Sequence, residues 1–371
     1  MNELEKARQE IAAVDKQIAE LFCRRMEAAK AVAAFKQERG LPIYDEQQEQ
    51  RVIARNSAYV ENAEIRAYYI KFLQESMKLA CQYEHRLIEG MRIAYSGVEG
   101  AFAHIAAKNI FPDGKLISYP SFDEAYEAVS QGQCDCAVLP IENSYAGEVG
   151  QVIDLMFGGS LWVNGVYDLY IVQHLLGVDG AKLSDVRTVI SHPQALSQCE
   201  AYIGRHGFEK QTASNTALAA QKVAELGDIH TAAIASYETA QLYGLQVLDH
   251  DINESRSNTT RFAVFSRVAN ESSNNRDNST FLLFFTVRNE AGALAKAINV
   301  IGEYGFNMNI LRSRPMRTLP WKYYFYVEAE GDDTSEKGRQ MLKALSEQCD
   351  MLKVVGRYTA VAGALRNGEK L

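Results

Sequence analysis

Residues 92–140 are RIAYSGVEGAFAHIAAKNIFPDGKLISYPSFDEAYEAVSQGQCDCAVLP, and they decide the fold of the middle of the chain. Short apolar runs alternate there with helical patterns, at 92–95, 101–111, 116–119, 122–131 and 135–140. Such β-α-β-α-β alternation predicts a sheet covered by helices.

A second α/β set follows this one and begins near Leu161. Its predicted elements are strands at 166–176, 186–191, 209–213, 231–235 and 245–249 and helices at 194–206, 216–226 and 237–243. The chain then returns through 260–265. Two α/β sets joined twice predict a two-lobed α/β domain over residues 91–268, with a ligand-binding cleft between the lobes.

The first 90 residues carry a helical pattern throughout. The first apolar stripe begins at Leu4, runs on to Lys36 and ends at the stop signals Gly40 and Pro42. A helix of about 37 residues is about 55 Å long. No compact domain of 90 residues is that long, so residues 1–90 are predicted to be an all-α domain that needs a partner chain. Asp45-x-x-Gln48 predicts the start of a second helix, and a third is predicted over 62–87.

The end of the chain is predicted to form a third domain. Residues 269–279 are a polar linker, and residues 280–371 follow it. The pattern there is β-α-β-β-α-β, typical of an α+β ferredoxin-like fold, at 280–287, 292–304, 307–313, 322–329, 334–348 and 351–358.

Composition excludes several classes of protein. The net charge of −8 disfavours nucleic acid as a partner. No apolar run of about 20 residues indicates a membrane span, and the N-terminus has no signal-peptide pattern. Cys134 and Cys136 form a C-x-C pair, but they lie in a small-residue strand with no ligand pair nearby. We therefore expect a cytoplasmic protein with reduced thiols and no metal.

Two cations of the first helix lie on one face. Arg25 and Lys36 are 11 residues apart, a net rotation of about 20°. Such a pair can hold a dianion, although spacing alone leaves a solvated face equally open. Arg8 lies 17 residues before Arg25, about 25 Å along the axis, so a functional Arg8 would serve a neighbouring subunit's site.

Residues 4–89 resemble the all-helical class of chorismate mutase, an intertwined dimer. The matching residues are Arg8, Asp15, Arg24, Arg25, Lys36, Pro42, Asp45, Glu49, Met77, Ala80, Tyr83 and Glu84. The resemblance implies that Arg25 and the second subunit's copy of Arg8 bind the two carboxylates of chorismate. It also implies that Lys36 binds the ether oxygen, and that Asp45 and Glu49 lie near the ring hydroxyl. Cations and hydrogen-bond donors suffice for the implied intramolecular rearrangement, so no cofactor is expected.

Three residues at this expected site depart from the family. Gln48 stands where the family usually has Arg, and Ala80 and Glu84 stand where Ser and Gln are common. A Gln donates a hydrogen bond to the ether oxygen, whereas an ionised Glu cannot. Glu84 is therefore expected to assist only when protonated, unless it is a surface residue.

Four polar segments fall at predicted strand ends or crossings. They are residues 95–102, Pro140-Ile141-Glu142-Asn143-Ser144, Ser191-His192-Pro193-Gln194 and Asn258-Thr259-Thr260-Arg261-Phe262. Each alone fits turn chemistry, but together they indicate a site in the cleft. With Ala213-Ser214-Asn215-Thr216-Ala217, they make residues 92–267 resemble the prephenate dehydratases, whose lobes are like those of periplasmic binding proteins.

The resemblance implies roles for these segments. Thr260 would donate a hydrogen bond to the leaving ring hydroxyl of prephenate, and Arg261 would pair with a carboxylate. The other implied substrate-binding residues are Glu142, Asn143, Ser144, Ser191, His192, Gln194, Ser214, Thr216 and Phe262. His192 is open to two interpretations, a general acid or a residue that fixes the turn.

Residues 280–358 resemble an ACT domain, which binds amino acids at dimer interfaces. Gly292-Ala293-Leu294 matches the turn at the first helix, and Arg312-Ser313-Arg314-Pro315 matches a Glu-Ser-Arg-Pro motif with its Glu replaced. The resemblance implies phenylalanine as an allosteric effector and a homo-oligomer, either a dimer or a tetramer. A purely structural dimerisation domain is the alternative.

The expected function is conversion of chorismate through prephenate to phenylpyruvate. A non-catalytic sensor of small carboxylates is the main alternative, because two-lobed domains also serve as receptors. A fusion to a prephenate dehydrogenase would require a G-x-G-x-x-G fingerprint after the strand at 92–95, and there is none.

Overall fold

The computed structural model describes residues 2–255, 257–269, 279–316 and 322–359. The chain divides into two compact units, residues 1–92 (the helical unit) and 93–371 (the α/β unit). Every helix in the described ranges is too short or too polar to cross a bilayer.

The helical unit consists of α1 (Glu3–Arg39), α2 (Glu46–Ser57) and α3 (Ala63–Glu89). The prediction of one long first helix is confirmed: α1 has 37 residues and ends where Gly40 takes a left-handed conformation, with φ of 61°. Glycine adopts that conformation without the steric penalty of a Cβ. Asp45 caps α2 by accepting a hydrogen bond from the backbone N–H of Gln48, as predicted.

The apolar stripe of α1 is largely exposed within this unit. Its buried residues are Ala29 and Ala33, whereas Leu4, Ile11 and Leu21 are 57, 60 and 58% exposed. Exposed apolar area of this extent marks an interaction surface. The need for a partner chain stays a prediction, and the exposed apolar stripe of α1 is the surface that such a chain would cover.

The first lobe of the α/β unit alternates strands and helices as predicted. Its elements are β1 (Arg92–Ser96), α4 (Phe102–Ile110), β2 (Lys115–Tyr119), α5 (Phe122–Ser130), β3 (Cys136–Asn143), β4 (Gly147–Glu148), α6 (Gly150–Gly158) and β5 (Trp162–Tyr170). Helix α6 was not predicted, because glycines at both of its ends obscure a short helical pattern.

The second lobe contains β6 (His174–Gly177), a 3₁₀ turn (Leu183–Asp185), β7 (Thr188–Ser191), α7 (Pro193–Gln198), α8 (Glu200–His206), β8 (Glu209–Thr212), α9 (Thr216–Leu226), β9 (Thr231–Ala235), α10 (Tyr237–Tyr243) and β10 (Gln246–Asp249). Its strands form a separate five-stranded sheet, in the order β10-β6-β9-β7-β8. The chain then returns to the first lobe through β11 (Thr259–Ser266).

Two predicted elements of this lobe are wrong as single elements. The run 166–176 is divided between β5 and β6, which lie in different sheets. Between β5 and β6, the N–H groups of Ile171 and Gln173 donate hydrogen bonds to Asn258 and Asn253. These two residues lie in the segment that returns to the first lobe, so no single strand continues through 171–173. The helix predicted at 194–206 breaks at Cys199, whose φ and ψ are −116° and 19°.

The C-terminal part of the α/β unit follows the predicted order. It contains β12 (Ser279–Thr286), α11 (Ala293–Glu303), β13 (Asn307–Pro315), β14 (Tyr323–Glu330), α12 (Glu336–Gln348) and β15 (Met351–Thr359). The strand order β13-β14-β12-β15, antiparallel throughout, is that of the ferredoxin-like fold. Most of the predicted linker, residues 270–278, and the end of the predicted domain, residues 360–371, lie outside the described residues.

The C-terminal strands and the first lobe share one sheet, in the order β13-β14-β12-β15-β5-β11-β3-β1-β2. Gly356 of β15 pairs with Val163 of β5. A common apolar core joins the two parts, and it includes Met156, Phe265, Leu282, Phe284, Tyr324 and Tyr326. The C-terminal part is therefore built onto the first lobe.

Candidate functional site

A cavity of about 920 Å³, here called the interlobe cavity, lies between the two lobes of the α/β unit. The first lobe contributes residues 96–98 and 101–103, Asn143, Thr260 and Phe262 to its wall. The second lobe contributes His192, Gln194, Gln198, Ser214, Asn215 and Thr216. The cavity is thus formed where the four polar segments of the sequence meet.

Asn143 organises the polar end of this cavity. Its Oδ1 accepts hydrogen bonds from the backbone N–H groups of Tyr145 and Ala146, at 3.0 and 2.9 Å, which fixes which side of the amide is oxygen. Its Nδ2 therefore donates, at 2.9 Å to Thr260 Oγ1 and at 3.0 Å to Asn258 Oδ1. Because Thr260 Oγ1 accepts that bond, its own proton is available to donate to a ligand.

His192 acts as the N-cap of α7. Its Nδ1 accepts a hydrogen bond from the backbone N–H of Gln194 at 3.2 Å, so a neutral ring carries its proton on Nε2. Burial lowers the pKa of His192, which also favours the neutral ring. This geometry supports the turn-fixing interpretation and leaves Nε2–H as a donor at the cavity wall.

Two helices begin at the cavity without a side-chain cap. Ala101 precedes α4 and Val149 precedes α6, and both residues line the cavity. Helix N-termini attract anions through their unpaired N–H groups and the helix dipole. Among the described lining residues there is no Lys or Arg. A carboxylate bound here must rely on neutral donors.

Four predicted site residues are not brought to the cavity. Ser191 Oγ donates to the carbonyl of Ile234 at 2.5 Å and links two strands. Ser144 Oγ accepts from the N–H of Thr259 at 3.0 Å within the return crossing. Arg261 and Glu142 lie on the opposite face of their strands, because successive strand residues point to opposite sides.

Several cavity residues were missed from the sequence, including Ser118, Gln173 and Gln198. Gln198 lies four residues after Gln194, on the same helical face, and that spacing was the available signal. Gln173 belongs to the crossing that was mistaken for a continuous strand. Its Oε1 is buried and has no partner within the described part of the chain.

In the helical unit, Lys36 and Glu84 form a half-buried polar cluster. Lys36 Nζ lies 2.7 Å from Glu84 Oε2 and donates to the carbonyl of Ile43 at 2.6 Å. Arg25 donates to the carbonyl of Ser76 at 2.9 Å. Glu84 is 5% exposed, so it is not a surface residue.

The thiol of Cys81 lies close to the same charged side chains. Burial raises the pKa of this thiol, the negative charges of Glu84 and Glu49 raise it further, and Lys36 and Arg25 oppose this. These charges therefore surround one point of the helical unit. Tyr44, which was not predicted, bonds to Glu49, and this contact raises the pKa of Tyr44.

The other predicted residues of the helical unit have different surroundings. Ala80 is buried on α3. Asp45 and Gln48 are exposed and bond to each other at the start of α2. Arg8 is exposed near the far end of α1 from Lys36, and the two are 28 residues apart, about 42 Å along the axis. Arg8 is therefore not part of the Lys36 cluster of its own chain.

The predicted effector segments lie in the C-terminal part. Gly292 precedes α11 with φ of 83°, and open space surrounds the position that a Cβ would occupy. Arg312 forms an ion pair with Glu142 of β3. Arg314 pairs with Glu148 and, at 3.1 Å, with Asp154. Both guanidinium groups are thus directed at the first lobe.

Comparison with known proteins agrees with this arrangement. Residues 7–85 match the family "Chorismate mutase type II", and residues 93–270 match "Prephenate dehydratase". A bifunctional chorismate mutase/prephenate dehydratase from Enterobacter agglomerans is 33% identical, over 96% of both chains.

Two solved structures resemble the α/β unit. A prephenate dehydratase from Arthrobacter aurescens in complex with L-Phe is 26% identical, with a TM-score of 0.66 over 72% of this chain and 90% of that one. GqqA, described as a novel type of quorum-quenching acylase, is 30% identical, with a TM-score of 0.68 over 73% of this chain and 98% of that one. With both family matches in one chain and a relative of the same full-length organisation, this protein belongs to the family of bifunctional chorismate mutase/prephenate dehydratases.

Proposed function

We propose that this protein converts chorismate to prephenate in its helical unit and prephenate to phenylpyruvate in the interlobe cavity. These are consecutive steps towards phenylalanine. The observation that carries the second activity is the hydrogen bond from Asn143 to Thr260, which leaves the threonine proton available to a ligand. The polar cluster around Lys36 supports the first activity.

Dehydration breaks two bonds of prephenate. The electrons of the bond to the ring carboxylate enter the ring as CO2 leaves, and the ring hydroxyl departs with the electrons of its C–O bond. Thr260 Oγ1–H donates to that hydroxyl, and a proton from solvent completes the water that is released. Asn143 supplies the bond that orients Thr260 throughout. Aromatisation provides the driving force, so a positioned donor suffices.

The carboxylates of prephenate are held by uncharged donors in this proposal. The N-terminal N–H groups of α4 and α6 and the amides of Gln194 and Gln198 are available for this role. Arg261 has no part in it, because its guanidinium contacts Glu328 on the other side of the strand. In a cavity that excludes water, fixed dipoles of this kind stabilise charge more strongly than they do in solution.

The rearrangement of chorismate needs no acid, base or nucleophile. The protein must hold the reactive conformer and stabilise negative charge on the breaking ether oxygen. An ammonium group has three donors. Lys36 uses two of them on Glu84 and Ile43, so the third is free for the ether oxygen. Arg25 binds a carboxylate.

Glu84 makes the mutase activity depend on pH. An ionised carboxylate beside the ether oxygen repels the developing charge, whereas a protonated carboxyl donates a hydrogen bond to it. We therefore expect mutase kcat/KM to rise as the pH falls, because only the protonated form of Glu84 donates to the ether oxygen. Glu84→Gln is expected to flatten this profile and to raise activity at neutral pH.

The control for this experiment is Glu75→Gln, an exposed carboxylate on the same helix. It should retain the pH dependence of the unmodified protein. Superimposable pH–rate curves for Glu84→Gln and the unmodified protein would remove Glu84 from the site.

The helical unit is proposed to work as an intertwined dimer. The exposed apolar stripe of α1 supplies an interface, and the length of α1 places Arg8 far from Lys36 of the same chain. In a symmetric dimer each long helix can bring its Arg8 to the other chain's Lys36 cluster.

The C-terminal part is proposed to be an ACT domain that binds phenylalanine and inhibits dehydration. Its ferredoxin-like sheet and the open backbone at Gly292 support this assignment. The L-Phe complex of the Arthrobacter aurescens relative is consistent with the same effector. A ligand carboxylate that reached Arg312 would compete with Glu142 for the guanidinium.

Phenylalanine is expected to lower the dehydratase rate, and tyrosine to do so only at higher concentration. Gly292→Ala is expected to raise the half-inhibitory concentration about tenfold, which corresponds to about 1.4 kcal/mol of lost binding. The added Cβ would occupy the space beside the backbone, and φ of 83° disfavours any residue with a Cβ. The uninhibited rate should stay within about twofold, because this Cβ meets no protein atom within 4 Å. The test is to measure the dehydratase rate over a range of phenylalanine concentrations. If phenylalanine does not change the rate of the unmodified protein, the C-terminal part has only a structural role.

The two-step function is tested by supplying chorismate without any nicotinamide cofactor. Phenylpyruvate should accumulate, and prephenate should appear transiently. A sensor would bind the compounds and leave both unchanged.

A further inference from the structure

The residues behind Thr260 and Asn143 form a second cross-strand pair. Strands β11 and β3 are antiparallel, with Thr260 opposite Asn143 and Arg261 opposite Glu142. Adjacent strand residues point to opposite faces. One pair therefore faces the interlobe cavity, and the charged pair lies directly behind it, with Arg261 and Glu142 3.5 Å apart.

The C-terminal part holds both members of this charged pair. Glu328 of β14 accepts two hydrogen bonds from Arg261, at 2.8 and 3.1 Å, and one from Tyr358 at 2.5 Å. Glu328 is 4% exposed, so these bonds form away from water. Arg312 of β13 pairs with Glu142. A continuous row, Arg312–Glu142–Arg261–Glu328, thus runs along the back of the site.

The ladder between β11 and β3 is irregular at this place. The register shifts between Arg261 and Phe262, one residue beyond Thr260, whereas the ladder from β11 to β5 is regular from Thr259 to Val264. A bulge disrupts the local ladder, so pairing between β11 and β3 fixes Thr260 relative to Asn143 less firmly here. Charged hydrogen bonds on the reverse face supply the missing constraint.

We propose that Arg312 and Glu328 are positioning residues for dehydration: by fixing Glu142 and Arg261, they hold Thr260 and Asn143 in the geometry that the reaction requires. The inference rests on the proposed role of Thr260. It also gives the replaced motif residue, Arg312, a function within this chain. A shift of about 1 Å in a catalytic group can cost about 10²-fold in rate, so loss of this support should appear mainly in kcat.

The principal experiment compares Arg312→Gln with Arg339→Gln in the full-length protein. Arg339 pairs with Glu336 in the same part of the chain, but both side chains are exposed, at 63 and 73%. Arg312→Gln is expected to lower the dehydratase kcat about tenfold and to leave the KM for prephenate within about twofold. Arg339→Gln should change neither value, and mutase activity should be the same in both variants.

Two further variants separate positioning from folding. Arg312→Lys keeps the positive charge and should recover most of the lost kcat. Tyr358→Phe removes one hydroxyl from Glu328 without changing any charge, and it should lower kcat about threefold even if Arg312→Gln fails to fold. In a double-mutant cycle, the combined loss for Glu142→Gln and Arg312→Gln should be smaller than the product of the two single losses, because both break the contact between Glu142 and Arg312.

Two results would overturn the proposal: an unchanged kcat in both Arg312→Gln and Tyr358→Phe, or an equal loss in Arg339→Gln. Failure of the proposed function looks different, because the unmodified protein would then leave prephenate intact.

Discussion

Thr260→Ala is expected to lower the dehydratase kcat by about 10²- to 10⁴-fold, the range for removal of a positioned proton donor. The mutase rate in the same preparation should be unchanged, because the Lys36 cluster lies in a separate compact unit. Prephenate should therefore accumulate from chorismate. A time course of chorismate, prephenate and phenylpyruvate measures both activities together.

The expected size of this effect follows from the contacts of Thr260. Its hydroxyl accepts from Asn143 and donates to no residue among the described hydrogen bonds, so alanine removes the donor proposed for the leaving hydroxyl. Alanine also leaves Asn143 Nδ2 with its bonds to Asn258 and Thr259, so the strand ends should keep their structure.

The neighbouring Thr259 provides a matched control. Its hydroxyl bonds to the carbonyl of Ser257, and Thr259 does not line the interlobe cavity. Thr259→Ala should keep nearly full activity, and Thr260→Ser should keep much of it by restoring a hydroxyl. Full dehydratase activity in Thr260→Ala would exclude the proposed mechanism, and loss of both activities would indicate misfolding.

Local sequence signals predicted most of the fold. The stop at Gly40, the N-cap at Asp45 and the helix at 216–226 were found because each depends on residues close in sequence. The division of 166–176 was missed because it depends on the partners of Ile171 and Gln173, which lie about 80 residues further along the chain. Pairing between distant segments leaves little trace in a local apolar pattern.

The same distinction applies to the candidate site. Motifs placed Asn143, Gln194 and Thr260 at the cavity, but they did not reveal the direction of each side chain. Arg261 follows Thr260 directly and for that reason faces away from it. Its partner Glu328 lies 67 residues away in a part of the chain first associated only with regulation. Because adjacent strand residues face opposite sides of a sheet, Thr260 and Arg261 are not expected to contact the same ligand.

Mixing two inactive mutase variants is expected to restore activity, a result that only a shared site explains. Lys36→Met removes the donor for the ether oxygen and should cost about 10²- to 10³-fold, as does loss of a donor in an oxyanion hole. Arg8→Ala should cost a similar amount if Arg8 binds a carboxylate in the second subunit's site. Each variant alone is therefore nearly inactive, although for different reasons.

A heterodimer of the two variants contains one intact site. The chain with Arg8→Ala supplies Lys36, and the chain with Lys36→Met supplies Arg8 to the same site. Equal amounts, unfolded together and refolded, form heterodimers as half of all dimers, so mutase activity should recover to about a quarter of the unmodified value. The control replaces Arg51, an exposed cation of α2. A mixture of Arg51→Ala with Arg8→Ala should show only the mutase activity that the same amount of Arg51→Ala has by itself.

The alternative is a site built from one chain. Arg8 would then be a solvated residue, and Arg8→Ala alone would be fully active. The exposed apolar stripe of α1 disfavours this outcome, because apolar area of this extent marks an interaction surface. A straight helix holds Arg8 about 42 Å from Lys36 of its own chain, and a second copy of α1 lying alongside in the opposite direction would bridge that distance. The exposed Leu4, Ile11 and Leu21 would then be covered by the same contact that completes the site.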